Sequence, residues 1–210
     1  MTAFAISSTI FAMFLYLTLY LKDVLRLSPL QTGVRFLPLS LVSFVAAPLA
    51  GRLSARVAIR LLLGGGLGLC ALSLWLMSGI TVDSGWTTLL AGFIVGGVGI
   101  GFVNAPLAST AVSTVRQERA GMASGLNNTF RQLGIATGIA ALGAIFQNKA
   151  GAGGLGTPGH LSDAARAAFI SGMNTILEMS AVVAGVGAVL AFLLVRRKDF
   201  VASGPPQVET

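Results

Sequence analysis

The sequence predicts an all-α membrane protein of six membrane-spanning helices, and three observations carry that prediction. Of its 210 residues, 54% are hydrophobic and only 10% are charged, whereas soluble domains carry about 25% charged residues; mean hydropathy is +0.83. Six apolar runs each approach or exceed the ~20 residues that carry an α-helix across a bilayer. Most of the 14 Lys and Arg sit in short connectors between these runs. The net charge of +7 is therefore a mark of membrane topology and excludes a basic nucleic-acid-binding face, which would need those residues clustered on one soluble surface.

In chain order the runs occupy residues 2–21, 32–50, 61–80, 88–112, 122–146 and 169–195, so that residues 1–198 form one transmembrane domain and 199–210 a disordered polar tail. The first run carries Tyr16 and Tyr20 toward one end, as do Trp75 in the third and Trp86 before the fourth, where aromatic rings favour the membrane interface. The second holds Pro38 and Pro48, tolerated where the freed carbonyls find other partners. Gly64, Gly65, Gly66 and Gly68 in the third run, and Gly92, Gly96, Gly97, Gly99 and Gly101 in the fourth, let helices approach closely. Cys70 is the single cysteine, which excludes an intrachain disulfide and a multi-cysteine metal site.

Orientation follows from the connectors. One alternate set, with the C-terminal tail, holds Arg52, Arg56, Arg60, Arg116, Arg119, Arg196, Arg197 and Lys198; the other holds Lys22, Arg26, Lys149 and Arg166. The positive-inside rule places the first set and the C-terminus in the cytoplasm. The first run conflicts with this, because Lys22 and Arg26 follow it on the outer side and no basic residue precedes it. A signal peptide, which needs a positive leading region, is not expected. The conflict is explained if the chain is the C-terminal portion of a longer protein whose preceding helices fix the topology.

The fifth run is unusual in carrying Arg131 well inside it. A cation at mid-membrane costs roughly 2.5–3.5 kcal/mol. The eight Leu, Ile and Phe residues of 122–146 contribute about −5 kcal/mol together, most of which Arg131, Asn127, Asn128 and Gln132 cancel. Such a helix belongs in a bundle, with its polar face on protein or on a water-filled cavity, and a cavity there implies passage of a solute. At 100° per residue Ser124, Asn127, Asn128, Arg131 and Gly138 share one face. Arg131 lies about 14 Å in from Met122 at 1.5 Å per residue, far for snorkelling. Two readings stand: it lines or gates a cavity, or it locks two helices together.

Three segments resemble one family. GRLSARVAIR over 51–60 is similar to the G-x-L-x-D-R-x-G-R-K/R loop signature of the major facilitator superfamily, through Gly51, Leu53, Arg56 and Arg60; Ala55 replaces the aspartate and Ala58 the second glycine. An arginine without its acid partner cannot form the switchable pair proposed for that loop. YLKDVLRLSPLQTG over 20–33, followed by Leu37 and Pro38, resembles the YLQxVLGxSPLQAGxxxLP connector of the fourteen-helix drug:proton antiporters of that superfamily. GMASGLNNTFRQLG over 121–134 resembles their GxASGxxNxxRQxG segment. The resemblance implies a six-helix half-bundle built from a 3+3 repeat, the C-terminal half of a multidrug antiporter in the plasma (inner) membrane that exports small hydrophobic or cationic compounds by alternating access. The proton gradient would be its energy source, with no cofactor. Its partners would be the lipid bilayer and the missing N-terminal half or a second copy.

The candidate cavity residues are thus Arg131, Asn127 and Asn128, joined by Asn104 in the fourth run and Tyr16 in the first, two helices that the family fold sets against the central cavity; either residue equally suits packing. Glu178 is the acid within a span. It reads either as a proton carrier, its carboxyl pKa raised by apolar surroundings, or as an interface residue near the outer leaflet. GAGGLG over 151–156 satisfies G-x-G-x-x-G without the strand that dinucleotide binding requires, His160 stands alone as a metal ligand, and no nucleophile–base pairing points to an enzyme. A different class of reading is a self-standing six-helix scaffold or channel-like protein that oligomerises without pumping.

Overall fold

In the computed structural model, residues 2–54, 57–82, 84–113, 120–150 and 163–194 are described. They form six α-helices: α1 (Thr2–Leu19), α2 (Pro29–Ser54), α3 (Ile59–Met77), α4 (Leu90–Ser113), α5 (Ala120–Ala150) and α6 (Asp163–Leu194). No strand occurs among the described residues. Five of the helices are long and apolar enough to cross a membrane, over Pro29–Ser54, Arg60–Met77, Trp86–Asn104, Ser124–Asn148 and Asp163–Leu193. The chain is an all-α membrane protein. Arg56 of the loop signature, His160, the glycines of 151–156 and the tail 199–210 lie outside the described residues.

Helix ends are set by local chemistry beyond the apolar runs. α2 starts three residues before the run at 32 because Ser28 and Gln31 form a capping box. The Gln31 backbone N–H donates to Ser28 Oγ (3.2 Å) and the Ser28 N–H donates to Gln31 Oε1 (3.1 Å), while Pro29 fills the first helical position, where an N–H would be unpaired in any case. α1 ends in a π-helical turn, Tyr20–Val24. The chain then reverses through Arg26 at φ 54°, with Leu25 N–H bonded to Tyr20 O and Leu27 N–H to Leu21 O. This left-handed residue stands where the family connector YLQxVLGxSPLQ has its glycine.

α6 begins six residues before the run at 169, and its first turns brace the connectors. Arg166 donates to the Val24 carbonyl (3.2 Å). Asn174 clasps the turn after α3, its Nδ2 donating to Ile80 O (2.8 Å) and its Oδ1 accepting from Ile80 N (3.3 Å). Tyr20 donates from its hydroxyl to Ser84 O (2.9 Å). We call this the capped end of the bundle, where α1, α3 and α5 finish; the opposite is the tail end.

The main core fills the capped half, from Leu17, Tyr20 and Leu21 across Phe93 and Phe146 to Phe169, Met173 and Leu177, all fully buried. Aromatic rings tie the helices here: Tyr16 to Phe146 at 5.2 Å and Phe146 edge-on to Phe169 at 4.9 Å. A smaller cluster of Leu63, Leu67, Val103, Ala188 and Ala191 holds α3, α4 and α6 together nearer the tail end. α4 lies between α2 and α3, α3 also packs on α6, and α1 packs on α5 and α6. Glycines permit close approach at several helix crossings, two of which show how. A Cβ on Gly99 would stand 2.8 Å from both Cys70 Sγ and the Gly66 carbonyl, and a Cβ on Gly138 would overlap the Ser8 backbone. α1, α5 and α6 thus form one packed group and α2, α3 and α4 another, joined through the α3–α6 contact.

Candidate functional site

The seam between these groups opens into a cavity of about 460 Å³ bounded by α1, α2, α4 and α5. Each helix contributes one face. α1 offers Ser7, Ile10, Phe11 and Phe14, a stripe with helical spacing of three and four; α2 offers Leu39, Ser40, Ser43, Phe44 and Ala47. α4 adds Ile100 and Asn104, and α5 adds Arg131. Toward the capped end Phe14 stacks on Phe36 (5.2 Å) and Phe36 on Phe93 (5.4 Å), an aromatic floor continuous with the core. Phe44, which lines the cavity, is 77% exposed, and Leu41 near it on α2 is exposed too, so an apolar face of α2 borders the cavity, whereas Met122, Leu126 and Leu133 are exposed on the side of α5 away from Arg131.

Of the sequence candidates, the fold brings Arg131 and Asn104 together in this cavity and leaves the others outside it. Asn127 is half-buried and Asn128 exposed, one turn nearer the α5 start, and neither is among the lining residues. Tyr16 does not reach the cavity. It is buried in the core against Phe146, because its position on α1 turns it toward α5 at the capped half. Glu178 is exposed in a shallow groove between α3 and α6 with Ala71, Leu72 and Trp75. It sits one turn past Asn174, which clasps Ile80 at the capped end, so it lies at that margin, away from Arg131. Gly51, Leu53 and Arg60 of the loop signature are exposed at the tail end; the Ser54 hydroxyl donates to the Gly51 carbonyl (2.7 Å) where α2 finishes.

Charge in the cavity has one sign. No acidic side chain is among the lining residues. Of the seven acids in the chain, Glu178 alone lies within an apolar run. The lining polar groups are three serine hydroxyls, the Asn104 amide and the Arg131 guanidinium, set among three phenylalanines.

Two features escaped sequence reasoning. Ser40, Ser43 and Phe44 of α2, and Phe11 and Phe14 of α1, are lining residues whose signal is a stripe of small polar and aromatic side chains at helical spacing inside an apolar run. Arg35 is a second cation in an apolar run; its guanidinium carbon lies 5.4 Å from the centroid of the Trp86 ring, and its Nε is buried without a hydrogen-bond partner. A separate apolar cleft of about 300 Å³ between α1, α5 and α6 is lined by residues including Gly138, Leu142, Met179 and Ser180. No group of His, Cys, Asp and Glu among the described residues is arranged to hold a metal ion.

Comparison with known proteins places this architecture. The family profile described as Major Facilitator Superfamily matches residues 1–139. The chain is 35% identical over 136 residues to a tetracenomycin C resistance and export protein of Streptomyces glaucescens, covering 65% of this chain and 25% of the relative. It is 36% identical over 157 residues to a cephamycin export protein of Amycolatopsis lactamdurans, covering 74% and 32%. It is 33% identical over 197 residues to an uncharacterised MFS-type transporter of Mycobacterium tuberculosis, covering 87% and 34%. The chain therefore spans between a quarter and about a third of the length of these relatives, which are transporters and not enzymes.

Proposed function

The chain belongs to the major facilitator superfamily, and from that premise we propose that it forms the C-terminal six-helix half of an exporter of small hydrophobic compounds. Export runs by alternating access, in which two bundles rock about a shared site. The observation that carries this reading is the cavity between α1, α2, α4 and α5. Its volume of about 460 Å³ suits a drug-sized solute, and its mixture of phenylalanine faces with a few polar groups suits binding that does not depend on one exact shape.

The exposed apolar face of α2 beside the cavity is where a second bundle docks, supplied by the remainder of the protein or by a second copy. In the plasma membrane, with the tail end on the cytoplasmic side that the Lys and Arg balance favours, the cavity faces the compartment from which solute is drawn. A proton gradient supplies the energy and no cofactor takes part. Glu178, exposed at the capped margin, is poorly placed to exchange a proton with a solute beside Arg131, and the coupling carboxyl belongs to the second bundle. The relatives named for export of tetracenomycin C and cephamycin support efflux of antibiotic-like molecules.

The test is dye efflux from cells stripped of their own exporters and expressing the complete reading frame that contains this chain. The expected result is lower steady-state accumulation of a lipophilic dye, restored to the control level by an uncoupler. Accumulation equal to that of empty cells contradicts export, and lowered accumulation that an uncoupler leaves unchanged contradicts proton coupling.

A further inference from the structure

Resting on the reading of this cavity as a solute site, we infer that it selects compounds carrying an acidic group on an aromatic or apolar body, and that Arg131 is the residue that selects. The family resemblance led to an expectation of hydrophobic or cationic compounds; the cavity's own chemistry points the other way for charge.

Arg131 is the one ionised group among the described lining residues. A guanidinium presents a rigid fork of N–H donors that matches a carboxylate or sulfonate in a bidentate pair. In a partly dehydrated, largely apolar wall that pairing is stronger than in water, because the local dielectric is lower. The same field repels a cation. Phe11 and Phe44 offer faces that attract cations, but that attraction is weaker than the repulsion between two like charges in the same cavity. Ser40, Ser43 and Asn104 hydrogen-bond to either kind of solute and so position without selecting by charge. Among the described residues no acidic side chain lines the cavity with Arg131, and Glu178 lies at the capped margin on another face of the bundle.

A matched set of fluorescent probes tests this: dansylglycine (anionic), its methyl amide (neutral) and dansylcholine (cationic), titrated onto the protein in lipid nanodiscs with empty nanodiscs subtracted. Dansylglycine should bind most tightly and dansylcholine least. Arg131→Gln should weaken dansylglycine about 10- to 100-fold, the loss of a charge-assisted hydrogen bond, and bring it level with the amide. Arg131→Lys should restore part of the difference, which also shows that the site is folded. Arg35→Gln, a cation stacked on Trp86 outside the cavity, should leave the order unchanged. Equal or tighter binding of dansylcholine, or an Arg131→Gln protein with unaltered dansylglycine affinity, overturns the inference. Gradient-driven flux of the neutral amide, measured in parallel, separates the two readings. Flux without charge preference removes only this inference; Arg131-dependent anion binding without any flux removes only the transport reading.

Discussion

Arg131 and Glu178 are both ionisable residues within apolar runs, yet the bundle gives them opposite surroundings. Arg131 faces the seam between two helix groups; Glu178 faces outward beside Trp75 near the capped end. Sequence position placed each at a depth, and Arg131 on one face of its helix, but not against a neighbour, since what a face meets depends on which helices pack beside it. Tyr16 shows the same limit, its helix bordering the cavity while its ring packs into the core. Arg26 was readable in a different way. It holds φ 54°, a left-handed conformation that costs a non-glycine residue roughly 1–2 kcal/mol, and it aligns with a glycine in the connector the segment resembles. Arg26→Gly should stabilise the protein by about 1 kcal/mol or less, since the extra freedom glycine gives the unfolded chain offsets part of the relief. Thermal unfolding in detergent micelles checks this through a raised midpoint; a lowered midpoint shows that the arginine holds the turn by other means.

At the scale of elements, the six helices were legible as apolar runs, five of them long and apolar enough to cross a membrane, because a lipid-spanning chain must satisfy its backbone within each segment. Their ends were less so. The start of α2 is written in Ser28, Pro29 and Gln31, a local signal that a count of apolar residues passes over, whereas the early turns of α6 bring Arg166 to the Val24 carbonyl across the bundle, a contact that no count of apolar residues announces. The pairing of α1 with α5 turns on Gly138. A Cβ added there would overlap the Ser8 backbone, which no side-chain rotation can relieve. Gly138→Leu should therefore cost about 1–3 kcal/mol and, by displacing α1 from the helix that carries Arg131 two turns away, weaken dansylglycine binding. Gly125→Leu on the same helix, where no atom lies within 4 Å of an added Cβ, serves as the comparison. Equal effects of the two substitutions in thermal unfolding and probe titration contradict the role assigned to Gly138.

For the whole molecule, the main core fills the capped half, which makes the bundle asymmetric along the membrane normal. The aromatic floor of Phe14, Phe36 and Phe93 closes one side of the cavity, and the exposed face of α2 with Phe44 borders it. A count of apolar residues passes over that asymmetry because it does not separate large side chains from small, whereas the buried aromatic and Leu/Met side chains concentrate toward the capped end. Solute selection as proposed requires that the cavity be open from the tail side and carry the positive potential of Arg131. A cysteine placed at Ser43 in a Cys70→Ala background reports on both, through its modification in inverted membrane vesicles by an anionic and a cationic methanethiosulfonate reagent of similar size. Labelling from the cytoplasmic side is expected, faster by the anionic reagent, with that advantage lost in Arg131→Gln and labelling slowed by dansylglycine. No labelling from that side, or equal rates for the two reagents whether or not Arg131 is present, would contradict the proposed selection.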